Sequence, residues 1–359
     1  MENKLLNFTK TIVKLKTVKN ANDIIGEKRM VTLKDVAKLA GVSPCTVSRV
    51  LSRKAPVQEK TRQRVLESIK ELNYFPNLSA RALKEGKTKT IGFFIPNLQN
   101  LIYPILAVAI QAEAWKHGYS VIFCDTQESQ KIEKEYVEKL KGTAVDGFIF
   151  STSLVGKNSR TILSLKEEGY PVVSIMRDND VTTNTFVSDN KYGGYLAARY
   201  LIEKGHRNIA TVYGNPLLAL YPQRTEGFYE GLARSGMEPN PDLAWQCDCK
   251  QKYEVQRLVA QKLKEGYRPD AIFAQSDPIA IDVKIAITSF GLKVPQDIAV
   301  IGFDNVGYSE NFDLTTVEQP FIQIANDATA HLIDILEQRA SPVQPEKVYP
   351  VRIIERGSA

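Results

Sequence analysis

With 359 residues, 43% hydrophobic and 25% charged, the chain has the make-up of a soluble globular protein and exceeds the size at which one core stops growing, so two or more packed units are expected. No apolar run nears the roughly 20 residues that cross a bilayer, which excludes a membrane span, and Cys45, Cys124, Cys247 and Cys249 lack disulfide-framework or zinc-finger spacing, so they read as free thiols in a reducing, cytoplasmic interior. The net charge of +6 is uneven: residues 31–90 carry 13 Lys/Arg against 5 Asp/Glu and residues 1–30 carry 7 against 3, leaving −6 for 91–359. A basic head on a mildly acidic body points to a polyanion-binding module joined to a different kind of domain, although a basic stretch alone is more often just a solvated surface.

Residues 1–30 set Leu5, Leu6, Phe8, Ile12, Val13 and Leu15 among lysines, without the continuous apolar region or cleavage site of a secretory signal. The run Gly26-Glu27-Lys28-Arg29-Met30 is encodable by purine-rich codons, as a bacterial ribosome-binding site would be. Met30 therefore reads as an alternative start and 1–30 as a leader or disordered extension. A basic arm that touches DNA is the competing reading.

Thr32 with Asp35 three residues on has the form of a helix N-cap, and Val36, Ala37, Leu39 and Ala40 follow at helical spacing. Gly41-Val42 supplies a tight turn, and Ser43-Pro44 places a cap and an N1 proline at the head of a second helix through Leu51. That helix is expected to bury Val47 and Val50 and to present Pro44, Cys45, Thr46, Ser48 and Arg49 outward, the types and placement suited to the major groove. For Cys45, a small buried filler is an equal alternative. A third helix over about Gln58 to Asn73, burying Val65, Leu66, Ile69 and Leu72, completes a helix-turn-helix head over 31–76. Behind it, Asn77-Leu-Ser-Ala-Arg-Ala-Leu83, with Lys84, Lys87 and Lys89 after it, is a two-turn segment too short to be helical alone and is expected to order only on DNA and within a dimer.

From Thr90 the pattern becomes strand, helix, strand. Ile91–Ile95, Val121–Cys124, Gly147–Phe150, Val172–Ile175, Ile209–Val212, Ala271–Ala274 and Ala299–Gly302 are short apolar runs, most of them separated by amphipathic stretches. Such alternation indicates parallel sheets covered on both faces, here enough for two α/β lobes with ligands at the carboxyl ends of strands. Val348 to Ile354 reads as a last strand, with no heptad tail after it.

Three strings, Thr32-Leu-Lys-Asp-Val-Ala-Lys-Leu-Ala-Gly-Val-Ser43, Thr46-Val-Ser-Arg-Val-Leu51 and Leu72-Asn-Tyr-Phe-Pro-Asn77, resemble the head of the lactose-repressor (LacI/GalR) family almost residue by residue. Pro96-Asn-Leu, Asp146-Gly-Phe-Ile-Phe, Arg224-Thr-Glu-Gly-Phe228, Ser276-Asp277, Gly302-Phe-Asp304 and Thr315-Thr-Val-Glu-Gln-Pro320 are similar to its periplasmic-binding-protein-like body, extending the resemblance over 31–359. The resemblance implies a bacterial, homodimeric transcription regulator, most simply a repressor, that binds operator DNA. It divides the chain into the 1–30 extension, the 31–76 head, a 77–89 hinge helix and linker, and a 90–359 body, with one lobe near 90–186 and 318–340 and the other near 187–316 and 341–359.

DNA contacts are implied at Thr32, Ser43, Pro44, Cys45, Thr46, Ser48, Arg49, Asn77 and Arg81, with Leu83 wedged into the minor groove at the operator centre. Leu83 packing on the next domain is the plainer alternative. Pro44 and Cys45 stand at the family's base-reading positions and offer no hydrogen-bonding fork, which shifts polar readout toward Thr46, Ser48 and Arg49.

Effector contacts are implied at Arg224 and Asp304, a guanidinium and a carboxylate suited to clamping hydroxyls, with Ser276 as a weaker bond and Ile102, Tyr103 and Phe321 as walls. A surface ion pair for Arg224, a helix cap for Asp304 and plain core for the walls are the structural alternatives. Met176 stands where many relatives carry a ligand-binding aspartate, so an ordinary pyranose clamp is incomplete. A sugar or sugar derivative is the leading effector class. A co-repressing nucleobase, nucleoside or other metabolite is the alternative.

The implied mechanism is a population shift in which effector between the lobes alters lobe spacing in the dimer and folding of the hinge helices, and induction and co-repression both fit it. No phosphate loop, nucleophile elbow or His-Glu-x-x-His occurs, so neither an enzyme nor a cofactor is expected. Cys247-Asp-Cys249 reads as strand rather than a metal site.

Overall fold

The computed structural model describes residues 31–52, 56–75, 86–142, 144–152, 159–177, 184–248, 251–341 and 346–359. The 1–30 extension, Asn77, Arg81 and Leu83 of the hinge segment, and Cys249 lie outside them. The chain divides into two compact units, Met1–Glu85 and Gly86–Ala359.

In the first unit, α1 (Leu33–Ala40), α2 (Pro44–Ser52) and α3 (Glu59–Glu71) enclose a core of Val36, Ala37, Ala40, Val47, Val50, Val65 and Tyr74. Asp35 closes the start of α1 by accepting from the Thr32 amide at 2.8 Å and the Thr32 hydroxyl at 2.7 Å. Gly41 ends it at φ 63°, a left-handed conformation that glycine adopts without a Cβ penalty, and the Val42 amide returns to Ala37 O at 3.0 Å. Two apolar expectations change: Leu39 and Leu66 are exposed. On α3 the inward row runs through Val65 and Ser68, and Ser68 is buried because its hydroxyl donates back to Arg64 O at 2.9 Å.

The second unit holds two six-stranded sheets. The first comprises β1 (Thr90–Ile95), β2 (Ser120–Asp125), β3 (Gly147–Phe150), β4 (Val172–Ile175), β5 (Thr185–Ser188) and β11 (Lys347–Tyr349), in the order β11-β5-β4-β3-β1-β2 and parallel throughout. The second comprises β6 (Ile209–Tyr213), β7 (Ala244–Gln246), β8 (Ala271–Ala274), β9 (Ala299–Asp304), β10 (Thr315–Glu318) and β12 (Arg352–Ile354), in the order β12-β10-β9-β8-β6-β7, with only β12 antiparallel. Between strands run α4 (Ile102–Lys116), α5 (Gln130–Leu140), α6 (Ser159–Glu167), α7 (Asn190–Glu203), α8 (Leu220–Arg234), α9 (Glu254–Lys264), α10 (Asp277–Ser289) and α11 (Phe321–Leu336). The central strands are buried on both faces, which is why they read as unbroken apolar runs.

The expected final strand is two strands in different sheets. Pro350, which has no N–H to donate, falls between β11 and β12, so the chain passes from the first lobe to the second there. The segment 341–359, expected in the second lobe, is thus divided: Lys347–Tyr349 pairs with β5 of the first. The Asp189 amide just after β5 donates to Tyr349 O at 2.9 Å, which ties the ends of β5 and β11 together.

Candidate effector cleft and DNA-reading face

On α2, Ser43 caps the helix by accepting from the Thr46 amide at 3.2 Å, and its hydroxyl lies 3.0 Å from the Thr46 hydroxyl. Pro44, Cys45 and Arg49 are exposed, Thr46 and Ser48 half-buried, and Thr32 exposed at the head of α1. The exposure of Cys45 removes the buried-filler alternative.

In the body, Arg224 on α8 and Asp304 at the end of β9 are both almost fully buried, which excludes a surface ion pair. The guanidinium stacks on Phe303, with its central carbon 3.6 Å from the ring centroid. Its Nε donates to Asn190 Oδ1 at 2.9 Å, Nη1 to the Gln275 carbonyl, and Nη2 lies 3.5 Å from Asp304 Oδ1. Burial lowers the pKa of Arg224, which the neighbouring carboxylates only partly oppose. Asp304 sits at φ 121°, a strained conformation for a non-glycine residue, and accepts from Gln319 Nε2 at 2.6 Å. Burial pushes its carboxyl up to about 7, against the pull of Arg224 and with the push of Asp277. Asp277, fully buried, is raised by burial too, although it accepts from Ser309 Oγ, Thr316 Oγ1 and the Val306 amide.

Ser276, buried at the N-cap position of α10, makes no capping bond with its side chain. Ile102 is half-buried at the first residue of α4, and Phe321 is buried at the first residue of α11. Tyr103 and Phe321 belong to the core of the first lobe, so the wall residues are core as well. The Tyr103 hydroxyl points to chemistry that sequence reasoning missed: it accepts from Arg177 Nη2 at 3.2 Å, while Arg177 Nη1 and Nη2 donate to the two oxygens of Glu128 at 3.2 and 2.9 Å. Burial disfavours the Arg177 charge, but Tyr103 and Glu128 outweigh it and raise its pKa. Burial raises the pKa of Tyr103 as well, and Val306 and Tyr308, just past Asp304, pack in the same apolar cluster as Tyr103, which brings the two groups to one cleft.

Several buried polar atoms lack a hydrogen-bond partner among the described residues: Ser151 Oγ, Arg177 Nε, Ser188 Oγ, Gln275 Oε1 and Gln319 Oε1. Each belongs to the last residue of a strand or one soon after it, at the carboxyl ends where α/β folds bind ligands. No group of His, Cys, Asp and Glu among the described residues is arranged to hold a metal, and no described helix is long and apolar enough to cross a membrane.

Residues 86–89, which follow the hinge segment, are fixed to the body. Asp146 accepts from the Thr88 amide and hydroxyl at 2.7 and 2.8 Å and the Lys89 amide at 2.8 Å. Glu337, just past α11, accepts from Lys89 and from the Tyr119 hydroxyl at 2.7 Å, and these bonds hold its carboxyl down to about 2.

Residues 32–77 match the family described as bacterial regulatory proteins, lacI family, and residues 198–359 match the periplasmic binding protein-like domain. A protein named HTH-type transcriptional repressor PurR from Vibrio cholerae serotype O1 is 30% identical over 330 residues, covering 91% of this chain and 97% of the relative. A protein of the same name from Aliivibrio fischeri (strain MJ11) is 32% identical over 337 residues, 91% of this chain and 99% of the relative. Among solved structures, the lac repressor dimer bound to operator and the anti-inducer ONPF superposes with a TM-score of 0.84 at 27% identity, over 92% of this chain and 99% of that one. A complex of the transcriptional regulator CelR with cellobiose superposes with a TM-score of 0.70 at 27% identity, over 92% of this chain and all of that one.

Proposed function

The chain belongs to the LacI/GalR family of DNA-binding transcription regulators, whose operator affinity a small effector controls, and from that premise we propose that its effector is a sugar or sugar derivative bound between the lobes at Arg224 and Asp304. The observation that carries this is the buried guanidinium, clamped on Phe303 beside a carboxylate, with unpaired polar atoms around it at the strand ends. The carboxylate accepts from vicinal hydroxyls, and Ser276, Ile102, Tyr103 and Phe321 complete the walls. A nucleobase or nucleoside is the second reading, favoured by the relatives named PurR.

The DNA contacts are assigned to Thr32, Ser43, Pro44, Cys45, Thr46, Ser48 and Arg49, with Asn77, Arg81 and Leu83 of the hinge segment added from the family resemblance. The functional unit is a homodimer. Leu101, Val108 and Trp115 recur at seven-residue spacing on and just before α4 and are exposed, as is Phe123 on the same side of the adjacent edge strand β2, which supports an apolar face covered by a second copy. The protein acts by binding, without cofactor or catalysis, in the cytoplasm. A thermal-shift screen of sugars and nucleosides, followed by gel shift on an operator selected from random DNA, tests the reading. A compound that raises the melting temperature and changes operator affinity supports it, and a stabilising compound with no effect on operator binding contradicts it.

A further inference from the structure

Building on that cleft reading, we propose that Arg177 determines effector specificity and that the effector it selects is an uncharged molecule presenting a hydroxyl or carbonyl oxygen, in preference to its phosphorylated or carboxylated derivative. Arg177 is more than nine-tenths buried just past β4. Met176, at φ 64°, and the Arg177 amide, which donates to Ile175 O at 2.7 Å, fold the chain back sharply there. Its end-on face is occupied: Nη1 and Nη2 grip Glu128, and Nη2 also donates to Tyr103. Of its three nitrogens, Nε alone is without a partner among the described residues.

A phosphate or carboxylate binds a guanidinium best through two parallel bonds, which on the remaining side means Nε and Nη2 together. Nη2 has no hydrogen left for that, because both are donated to Glu128 and Tyr103. A single hydroxyl or carbonyl oxygen needs Nε alone. The charge balance agrees. Arg177 is paired with Glu128, and Arg224 lies 3.5 Å from Asp304, so neither cleft guanidinium stands without a carboxyl group beside it. An anionic group would have to displace Glu128, whose side chain is 45% exposed and keeps part of its hydration in the ion pair.

The test titrates the full chain calorimetrically with matched pairs: ribose and ribose 5-phosphate, glucose and glucose 6-phosphate, galactose and galacturonate, adenosine and adenosine monophosphate. The expected result is a neutral member that binds, with its anionic counterpart at least about ten-fold weaker, the step that one charged hydrogen bond or repulsion supplies. Equal or tighter binding by the anionic member overturns the proposal. Absence of binding by every pair instead removes the cleft reading on which it stands. Arg177→Met, checked for an unchanged far-ultraviolet spectrum, is expected to weaken the neutral ligand about ten- to a hundred-fold, and unchanged affinity overturns the assignment. Glu128→Gln keeps the fold at a half-exposed position and releases the Arg177 charge, so the anionic member should gain on the neutral one. No gain there also overturns it.

Discussion

A Cβ on Gly194 would lie 2.0 Å from the carbonyl oxygen of Arg224, so α7 and α8 touch backbone to backbone at the residue that carries the cleft guanidinium. The contact is repeated one turn on, where a Cβ on Gly227 would lie 1.7 Å from Lys191 O. These glycines set how far Arg224 reaches toward Asp304 and Asn190. Gly194→Ala must push the helices apart and is expected to destabilise the body by about 1–3 kcal/mol, the usual penalty of overpacking. Because the displaced atom belongs to Arg224, effector affinity should fall further than the loss of stability explains. Urea denaturation alongside calorimetric titration reads both, and an unshifted midpoint with native affinity would show that the helices can part without moving the arginine.

The carboxyl of Asp304 gives the cleft a pH dependence. Its folded value of about 7 stands above the ordinary carboxylate range near 4, so the folded protein keeps a proton that the unfolded chain releases. The stability it contributes is complete below about pH 4 and is lost as pH rises through about 7. An effector that donates hydroxyls to Asp304 favours the ionised form, so binding releases a proton and affinity should fall by up to about ten-fold per pH unit below 7. Asp304→Asn should abolish that slope. Calorimetry in buffers of differing ionisation enthalpy measures the proton directly, and an affinity flat between about pH 5.5 and 7.5 would count against an ionised acceptor.

The sequence shows its repeating patterns more clearly than its contacts. The seven apolar runs from Ile91 to Gly302 all became strands, six of them because central parallel strands are buried on both faces, while the seventh, β2, is a largely exposed edge. β7 and β11, each with an exposed edge, carry too few apolar residues to stand out, and β12 was merged with β11 because a proline between two strands does not announce a change of sheet. Arg224 and Asp304 were found through motif strings. Arg177 was not, since Tyr103 and Glu128, the partners that turn it from a surface cation into a buried one, lie 74 and 49 residues away. The positive φ at Met176 that redirects the chain has no signature in a methionine. Asn190, Gln275 and Gln319 were missed for the same reason: amides at strand ends look like loop residues until the strands are aligned.

Asp146 takes three hydrogen bonds from Thr88 and Lys89, fixing the segment that continues from the hinge. Asp146→Ala leaves the Thr88 and Lys89 amides without their acceptor, a local loss of about 1–3 kcal/mol. Amide exchange at residues 88 and 89 should accelerate, and operator affinity should fall because the hinge is then tethered to a loose anchor, while effector affinity stays close to native. Hydrogen-exchange mass spectrometry with gel shift separates the two effects. Unchanged exchange at these amides would mean that Lys87 and Glu337 hold the segment unaided.

Trp115 and Val108 expose apolar side chains on one face of α4, both more than 70% accessible. Large exposed apolar groups at seven-residue spacing beside Phe123 are costly in water and are relieved when a two-fold partner covers them. Trp115→Glu places a charge in that face and is expected to shift the protein from dimer to monomer by two or more orders of magnitude in dissociation constant, about 3 kcal/mol or more. Operator binding should weaken in step, because each half-site is read by one head and the two heads are tethered only through the dimer. Sedimentation velocity across a concentration series measures the first effect and gel shift the second. A variant that stays dimeric at low concentration would move the interface off α4, and one that turns monomeric yet keeps full operator affinity would contradict two-fold reading of the operator.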